Sequence, residues 1–174
     1  MFGLNKLDLV KKAKMGNGKA FTKLVEENLK SMYRVAKGIL NNEEDIEDAI
    51  QNTILKSYSN INTLRSEDLF KTWLIKILIN ECNKIYNFNK KCISLDKVVE
   101  EQYSDKYENL DLKIAINSLP EELRLVITLF YFEDLKISEV SEIIGIAEGT
   151  VKSRLSRAKA KIAKSIDGKE IMEW

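Results

Sequence analysis

The sequence predicts an all-α protein of two small helical domains, joined by a flexible linker and ending in a helix-turn-helix. Three observations support this fold class. The 174 residues include one proline and seven glycines, which is too few turn-forming residues for a β design. Hydrophobic residues make up 44% of the chain and charged residues 32%, as in ordinary folded proteins. Apolar residues recur every three or four positions along most of the chain, which is the period of an amphipathic helix.

The N-terminal domain is predicted over residues 1–91 and contains three such helices. Their apolar stripes run through residues 21–40, 46–61 and 69–85. The segment 16–19 reads GNGK, but it lacks the spacing and the preceding strand of a phosphate-binding loop. We therefore expect a turn there, just before the first helix.

Helix boundaries and buried positions follow from the same pattern. Asn42 is predicted to cap the second helix and Ser66 the third, because both side chains can accept a bond from a first-turn amide. The stripes assign Leu29, Tyr58 and Leu69 to the buried faces of the three helices. The N-terminal domain is therefore expected to be a compact helical bundle.

The period is lost over residues 92–110, which we interpret as an acidic linker. The stretch Glu100–Asp111 holds five acids against Lys106, a net charge of −4. Helical order then resumes and defines a C-terminal domain over residues 111–174. Pro120 suits the first turn of a helix there, whose predicted buried face extends to Tyr131.

The segment Ile137–Leu155 fits a helix-turn-helix, in which a second helix enters the DNA major groove. The pattern requires apolar residues where the helices pack, a small residue where they cross, and a residue with positive φ in the turn. Glycine adopts that turn conformation without strain. The residues at these positions are Val140, Ser141, Ile144, Gly145, Ile146 and Val151.

The second helix of this motif is strongly basic. Six cations stand against one acid in Glu148–Lys164, giving a net charge of +5. A solvated basic helix is the ordinary alternative, but the complete motif favours DNA contact, with arginine reading guanine and lysine or serine binding phosphates. The candidate DNA-binding residues are Thr150, Lys152, Ser153, Arg154, Ser156, Arg157 and Lys161.

Several functions are disfavoured by composition. The chain contains no histidine, which excludes Ser-His-Asp catalysis and every histidine-containing metal site. We expect no catalytic residue, no metal and no cofactor. Cys82 and Cys92 are expected to be reduced thiols rather than a disulfide. The N-terminus has no signal-peptide core, and no uncharged apolar run reaches membrane-spanning length.

The stretch Leu119–Lys164 closely resembles the DNA-reading domain of extracytoplasmic-function (ECF) sigma factors. The resemblance rests on LPEELR, FYFEDLKISEV and EGTVKSRLSRAKAKI. The segment Glu43–Tyr58, EEDIEDAIQNTILKSY, resembles the polymerase-binding helix of that family. The segment Phe70–Glu81, FKTWLIKILINE, resembles its tryptophan-bearing helix at the melted −10 element. Both domains therefore match, in the order found in the family.

The resemblance implies two sets of residues in the N-terminal domain. Those implied to bind core polymerase are Asp45, Glu47, Asp48 and Gln51. Those implied to contact the −10 strand, beside a loop at residues 62–69, are Lys76, Asn80, Asn83 and Lys84. Trp73 fits the core better than a base-stacking role, because it is in phase with Phe70. The aspartate and arginines that the family often carries after Asn80 are replaced here.

The resemblance also implies the partners. They are core RNA polymerase, promoter DNA read at −35 and −10, and an anti-sigma factor, often membrane-anchored in this family. The chain is thus expected to be cytoplasmic, sequestered at the inner face of the membrane, to take no small-molecule substrate, and to catalyse nothing. A conventional helix-turn-helix regulator that binds an operator is the alternative, although neither a dimer interface nor a sensor domain is evident.

Overall fold

The computed structural model describes residues 6–92 and 110–170. The chain divides into two compact units between Val98 and Val99. Within the described ranges the regular elements are helices and helical turns, without strands. The predicted all-α class is therefore confirmed. Residues 93–109, which contain most of the predicted acidic linker, lie outside the described residues.

The first unit is a helical bundle. Its core is formed mainly where α3 packs on α4 and α2, and where α1 packs on α2. Fully buried side chains such as Leu24, Met32, Ile46 and Leu74 fill that core. The helices are α1 (Lys6–Lys14), α2 (Gly18–Lys37), α3 (Glu43–Asn60) and α4 (Phe70–Cys92), with 3-10 turns at Ile61–Thr63 and Glu67–Leu69.

The starts of α2 and α3 agree with the sequence prediction. The Asn42 side chain accepts a hydrogen bond from the Glu44 amide at 3.0 Å, so it caps α3. Asn17 caps α2 in the same way through the Ala20 amide, and the preceding Gly16 has a φ of 86°. Gly16 and Asn17 of the GNGK segment therefore form a turn, and its last two residues begin α2.

The predicted cap at Ser66 was wrong. Ser66 precedes the 3-10 turn Glu67–Leu69 instead of α4, and its side chain makes no capping bond. Its hydroxyl donates to the carboxylate of Asp68. The α-helix begins later, at Phe70.

Helix α1 was not predicted. Its nine residues bury Leu9, Val10 and Ala13 against the rest of the unit. A helix this short presents only two turns of apolar pattern, and its stability comes from packing rather than from propensity. Over residues 6–92, the N-terminal bundle therefore contains one helix more than the three expected.

The second unit, over its described residues 110–170, packs four helices and a π-helical turn. Helix α8 contacts α5, α6 and α7, and so closes the core of the unit. Buried residues such as Val126, Leu129, Val140, Val151 and Ala158 occupy that core. The helices are α5 (Leu110–Asn117), α6 (Glu121–Ile127), α7 (Ile137–Ile144) and α8 (Glu148–Glu170), and the π-helical turn Thr128–Phe132 continues α6.

Helices α7 and α8 form the predicted helix-turn-helix. Gly145 ends α7 with a φ of 73°, the left-handed conformation that the turn requires. Val140 and Val151 are fully buried between the helices. Ser141 was predicted only to be small, yet its hydroxyl also donates to the Ile146 carbonyl at 2.5 Å and so spans the turn.

Four residues assigned to buried stripes are exposed instead. Their exposed fractions are 45% for Leu29, 52% for Tyr58, 43% for Leu69 and 52% for Tyr131. Each lies at the edge of its stripe. A period of three and four residues identifies the centre of a buried face, but its width depends on which helices pack there.

Candidate functional site

Helix α8 presents a basic face to solvent. Val151, Leu155 and Ala158 are buried on one side of the helix and attach it to the unit. The opposite side, which we call the α8 basic face, contains exposed side chains at Thr150, Lys152, Ser153, Ser156, Arg157 and Lys161. The Ser153 hydroxyl donates to the Thr150 carbonyl at 2.9 Å, which leaves its oxygen as an acceptor. The predicted DNA-binding residues are thus brought together, with one exception.

The exception is Arg154, which was expected on the exposed face. Its side chain is only 20% exposed, and its Nη2 lies 2.7 Å from Glu122 Oε2 on α6. Its Nε is buried without a hydrogen-bond partner. Reading guanine with two parallel bonds through Nε and Nη2 would require this ion pair to break. Arg157 is exposed and is therefore the better-placed arginine for reading a base.

The residues predicted to contact the −10 strand share one face of α4. Lys76, Asn80, Asn83 and Lys84 are separated by four, three and one positions, so they point in similar directions. Asn80, Asn83 and Lys84 are exposed, and Lys76 is half-buried. Trp73 is also half-buried, with its ring 5.9 Å from that of Phe70. This α4 polar face combines amide groups and cations.

Glu81 organises the neighbourhood of that face and was missed by the sequence reasoning. Its side chain is 8% exposed and accepts bonds from Lys56 at 2.7 Å and from Lys84 at 2.8 Å. Burial alone would raise the pKa of Glu81, but these two hydrogen bonds outweigh it and lower the pKa below its ordinary value of 4.5. One carboxylate therefore ties α3 to α4 and orients Lys84.

The residues predicted to bind polymerase divide into two groups. Glu47, Asp48 and Gln51 are exposed on the outer side of α3. Asp45 is half-buried and accepts a hydrogen bond from Asn89 Nδ2 of α4 at 2.7 Å. Asp45 thus contributes to packing within the unit, whereas the other three are available to a partner.

Two apolar residues continue the same side of α3. Leu55 is 67% exposed and Tyr58 is 52% exposed, and both follow Asp48 and Gln51 at helical spacing. The Tyr58 and Phe21 rings pack in a T-shaped arrangement with a centroid distance of 5.0 Å, which holds the tyrosine in place. We call Glu47, Asp48, Gln51, Leu55 and Tyr58 the α3 ridge. The helical spacing between Asp48 and Leu55 would have identified the apolar residues of this ridge from the sequence.

Other kinds of site find little support in the described residues. They contain no group of three or more acidic, cysteine or histidine side chains that could hold a metal ion. Cys82 is free, and burial raises its pKa to about 12, so its thiol is unreactive. Across the same ranges, no helix is both long and apolar enough to span a membrane.

The chain matches two family models in sequence. Residues 24–90 match Sigma-70 region 2, and residues 110–162 match Sigma-70 region 4. The first match covers most of α2 through α4, and the second covers α5 through most of α8. The chain is 34% identical to RNA polymerase sigma factor SigV of Bacillus subtilis over 138 residues, covering 77% of the chain and 83% of that protein.

The chain belongs to the ECF sigma factor family. Two further relatives are named as ECF sigma factors. The sigma factor is 28% identical over 176 residues to ECF RNA polymerase sigma factor SigW of Bacillus subtilis, covering 90% of the chain and 94% of SigW. It is 29% identical over 181 residues to ECF RNA polymerase sigma-E factor of Haemophilus influenzae, covering 91% and 93% respectively. Sigma factors are transcription initiation factors, so the protein is not an enzyme.

Solved structures agree on the fold. CnrH, in complex with the cytosolic domain of CnrY, superposes with a TM-score of 0.69 at 22% identity, covering 94% of the sigma factor and 97% of CnrH. RpoE of Bartonella quintana, in complex with the anti-sigma factor NepR, gives 0.69 at 22% identity, covering 86% and 98%. The helical architecture of this sigma factor is thus shared with both.

Proposed function

We propose that this sigma factor directs core RNA polymerase to specific promoters through surfaces on its two separate units. The α3 ridge binds polymerase, and the α8 basic face reads duplex DNA at the −35 element. The observation that carries the proposal is the α8 basic face, because a helix-turn-helix with a formed turn presents a contiguous cationic helix to solvent.

The proposed polymerase contact combines charge and apolar area. Glu47 and Asp48 supply negative charge that steers association with a basic partner. Leu55 and Tyr58 supply exposed apolar area that a partner can bury. Burying a leucine that is 67% exposed stabilises a complex by about 1–2 kcal/mol, equivalent to roughly a five- to thirtyfold change in affinity.

The proposed DNA contact uses the exposed cations for different tasks. Arg157 is assigned to a base edge, while Lys152, Lys161 and the hydroxyls of Ser153 and Ser156 are assigned to phosphates or single base edges. Arg154 takes part mainly by fixing the orientation of α8 on α6 through Glu122. The α4 polar face and the 62–69 loop are proposed to bind the opened −10 strand, since unpaired bases require both hydrogen-bonding groups and a stacking surface.

The central experiment is run-off transcription with purified core polymerase and a library of genomic promoters. Adding the sigma factor is expected to yield transcripts from a defined subset of promoters. Leu55→Gln should weaken core binding about tenfold, whereas Met15→Gln, an equally apolar and 85% exposed control, should not. If the sigma factor bound a palindromic site tightly without polymerase and failed to bind core, a conventional regulator would replace this proposal.

A matched pair of variants tests the DNA surface. Arg157→Ala is expected to cost about 1–3 kcal/mol of discrimination at a single base pair. Lys30→Ala removes an exposed cation from α2 and is expected to leave −35 discrimination unchanged. If the two substitutions changed −35 discrimination equally, only the overall positive charge of the protein would matter for it.

The acidic segment Glu100–Asp111 is proposed to enter a nucleic-acid channel of the polymerase. Its net charge of −4 supports this role, because it resembles the charge of the nucleic acid that the channel accommodates. Replacing its five acids with the corresponding amides is expected to lower initiation without affecting core binding. Unchanged initiation would contradict the role.

We also propose that an anti-sigma factor anchored in the membrane holds this sigma factor inactive in the cytoplasm, by covering the α3 ridge and the α8 basic face. Support comes from the similar RpoE, whose structure includes the anti-sigma factor NepR. The test is to add the purified cytosolic part of a neighbouring gene product. It is expected to block core binding, and Leu55→Gln is expected to weaken the inhibitor as well as core.

A further inference from the structure

The unpredicted helix α1 ends beside the 62–69 loop, which we propose above to contact the opened −10 strand. Lys14 in its last turn donates to the carbonyl of Leu64 at 3.0 Å and lies 3.2 Å from Glu67 Oε1. These two acceptors flank the exposed Arg65 and the half-buried Ser66. One ammonium therefore joins both sides of the loop tip.

The contact is partly shielded from water. The Lys14 and Glu67 side chains are 25% and 28% exposed, and Leu64 itself is buried. Leu9, Val10 and Ala13 anchor α1 to the rest of the unit, so the lysine extends from a fixed helix. The pKa of Glu67 lies below its ordinary value of 4.5, first through a backbone hydrogen bond and then through the bond from Lys14.

The loop also has hydrogen bonds of short range. Its backbone is held by the short bonds from the Leu64 amide to Ile61 and from the Leu69 amide to Ser66. Each of these bonds closes only its own 3-10 turn. Lys14 connects the two turns to each other, because Leu64 directly follows the first and Glu67 begins the second.

We propose that Lys14 is a positioning residue for the 62–69 loop, and that α1 thereby sets the loop conformation with which the sigma factor captures unpaired DNA. The DNA part of this inference rests on the proposed function. The structural part does not, because it concerns only how the loop is held in the free protein. The two parts can therefore be tested separately.

The first experiment measures hydrogen exchange of the loop amides in the full chain without polymerase. Lys14→Met is expected to speed exchange at Leu64 and Leu69 about fivefold, since an intramolecular bond to a charged group is lost. Lys14→Arg should restore most of the protection. Lys12→Met is the matched control, because Lys12 is exposed in the same turn of α1. Equal exchange in the Lys14→Met and Lys12→Met variants would overturn the inference.

The second experiment uses holoenzyme on a promoter that is active in the run-off assay. Permanganate reactivity of unpaired thymines reports opening, and labelled sigma factor reports core binding. Lys14→Met is expected to reduce opening several-fold while core affinity stays within about twofold, and Glu67→Gln should give a milder form of the same defect. Faster loop exchange with unchanged opening would overturn the positioning role. Failure of the unsubstituted chain to bind core would refute the proposed function, and with it the role in DNA capture, whatever the loop exchange shows.

Discussion

The ion pair between Glu122 and Arg154 yields an asymmetric prediction, because the two partners differ in burial. Glu122 is 48% exposed, whereas Arg154 is 20% exposed and has a buried, unpartnered Nε. Removing the acid leaves a mostly buried cation without compensation. Removing the arginine leaves a carboxylate that water can solvate, and it also removes the unsatisfied Nε. We therefore expect Glu122→Gln to be the more damaging single substitution.

The free-energy cost of breaking this ion pair lies between two limits. Breaking a fully exposed pair costs about 0.2–1 kcal/mol, and breaking a buried one costs about 3–5 kcal/mol. Because this pair is partly buried, Glu122→Gln is expected to lower the stability of α8 packing by about 1–2 kcal/mol. Arg154→Met keeps most of the packed side chain and should cost less than about 1 kcal/mol. The double variant should resemble Arg154→Met, because no buried charge remains in it.

Hydrogen exchange of α8 peptides in the full chain is the appropriate assay, since a two-unit protein need not unfold in one transition. With tenfold for each 1.4 kcal/mol, Glu122→Gln should speed α8 exchange about five- to thirtyfold. The reasoning would be refuted if Arg154→Met were the more damaging of the two, or if the double variant showed the sum of both effects. In promoter binding, Arg154→Met is expected to lose less −35 discrimination than Arg157→Ala.

Three further predictions concern single residues. A Cβ added at Gly145 would meet no atom within 4 Å, but the alanine would have to keep a φ of 73°. Gly145→Ala should therefore lower the free energy of opening α7 and α8, measured by hydrogen exchange, by about 1 kcal/mol. Asn42→Ala removes the cap of α3 and should lower its exchange protection by about 1 kcal/mol, whereas exposed Asn52→Ala should not. The pKa of Glu81 is lowered on folding, so the stability it contributes is present above pH 4.5 and is lost as pH falls below that value. Glu81→Gln should therefore flatten the acid limb of a thermal-melt profile.

The sequence was most informative where local chemistry determines the backbone. The turn at Gly145 and the cap at Asn42 each depend on a few adjacent residues, and both were predicted correctly. The charge of α8 could likewise be counted directly. By contrast, α1 was missed because its two turns carry little pattern, although its packing holds it in place.

The edges of the helical faces and the long-range contacts were not predictable in this way. Tyr58 and Leu29 share the period of buried neighbours, yet no helix in the described part of their unit covers them enough to exclude water. The pairs Lys14–Glu67 and Glu122–Arg154 join residues far apart in the chain. Such contacts depend on how helices approach in three dimensions, which a one-dimensional period does not encode. As a result, the helix-turn-helix was predicted correctly, while the pairing of Arg154 was not foreseen.

The separation into two units has a measurable consequence for initiation. Leu55 lies in the first unit and Arg157 in the second, so the proposed polymerase and DNA contacts are made by different folded bodies. Free energies from independent sites add, and the corresponding fold-changes multiply. At sub-saturating sigma factor, if Leu55→Gln and Arg157→Ala each lower run-off yield tenfold, the double variant should lower it about a hundredfold. A double variant no worse than either single one would mean that both residues serve the same step, and the assignment of separate polymerase-binding and DNA-reading surfaces would then fail.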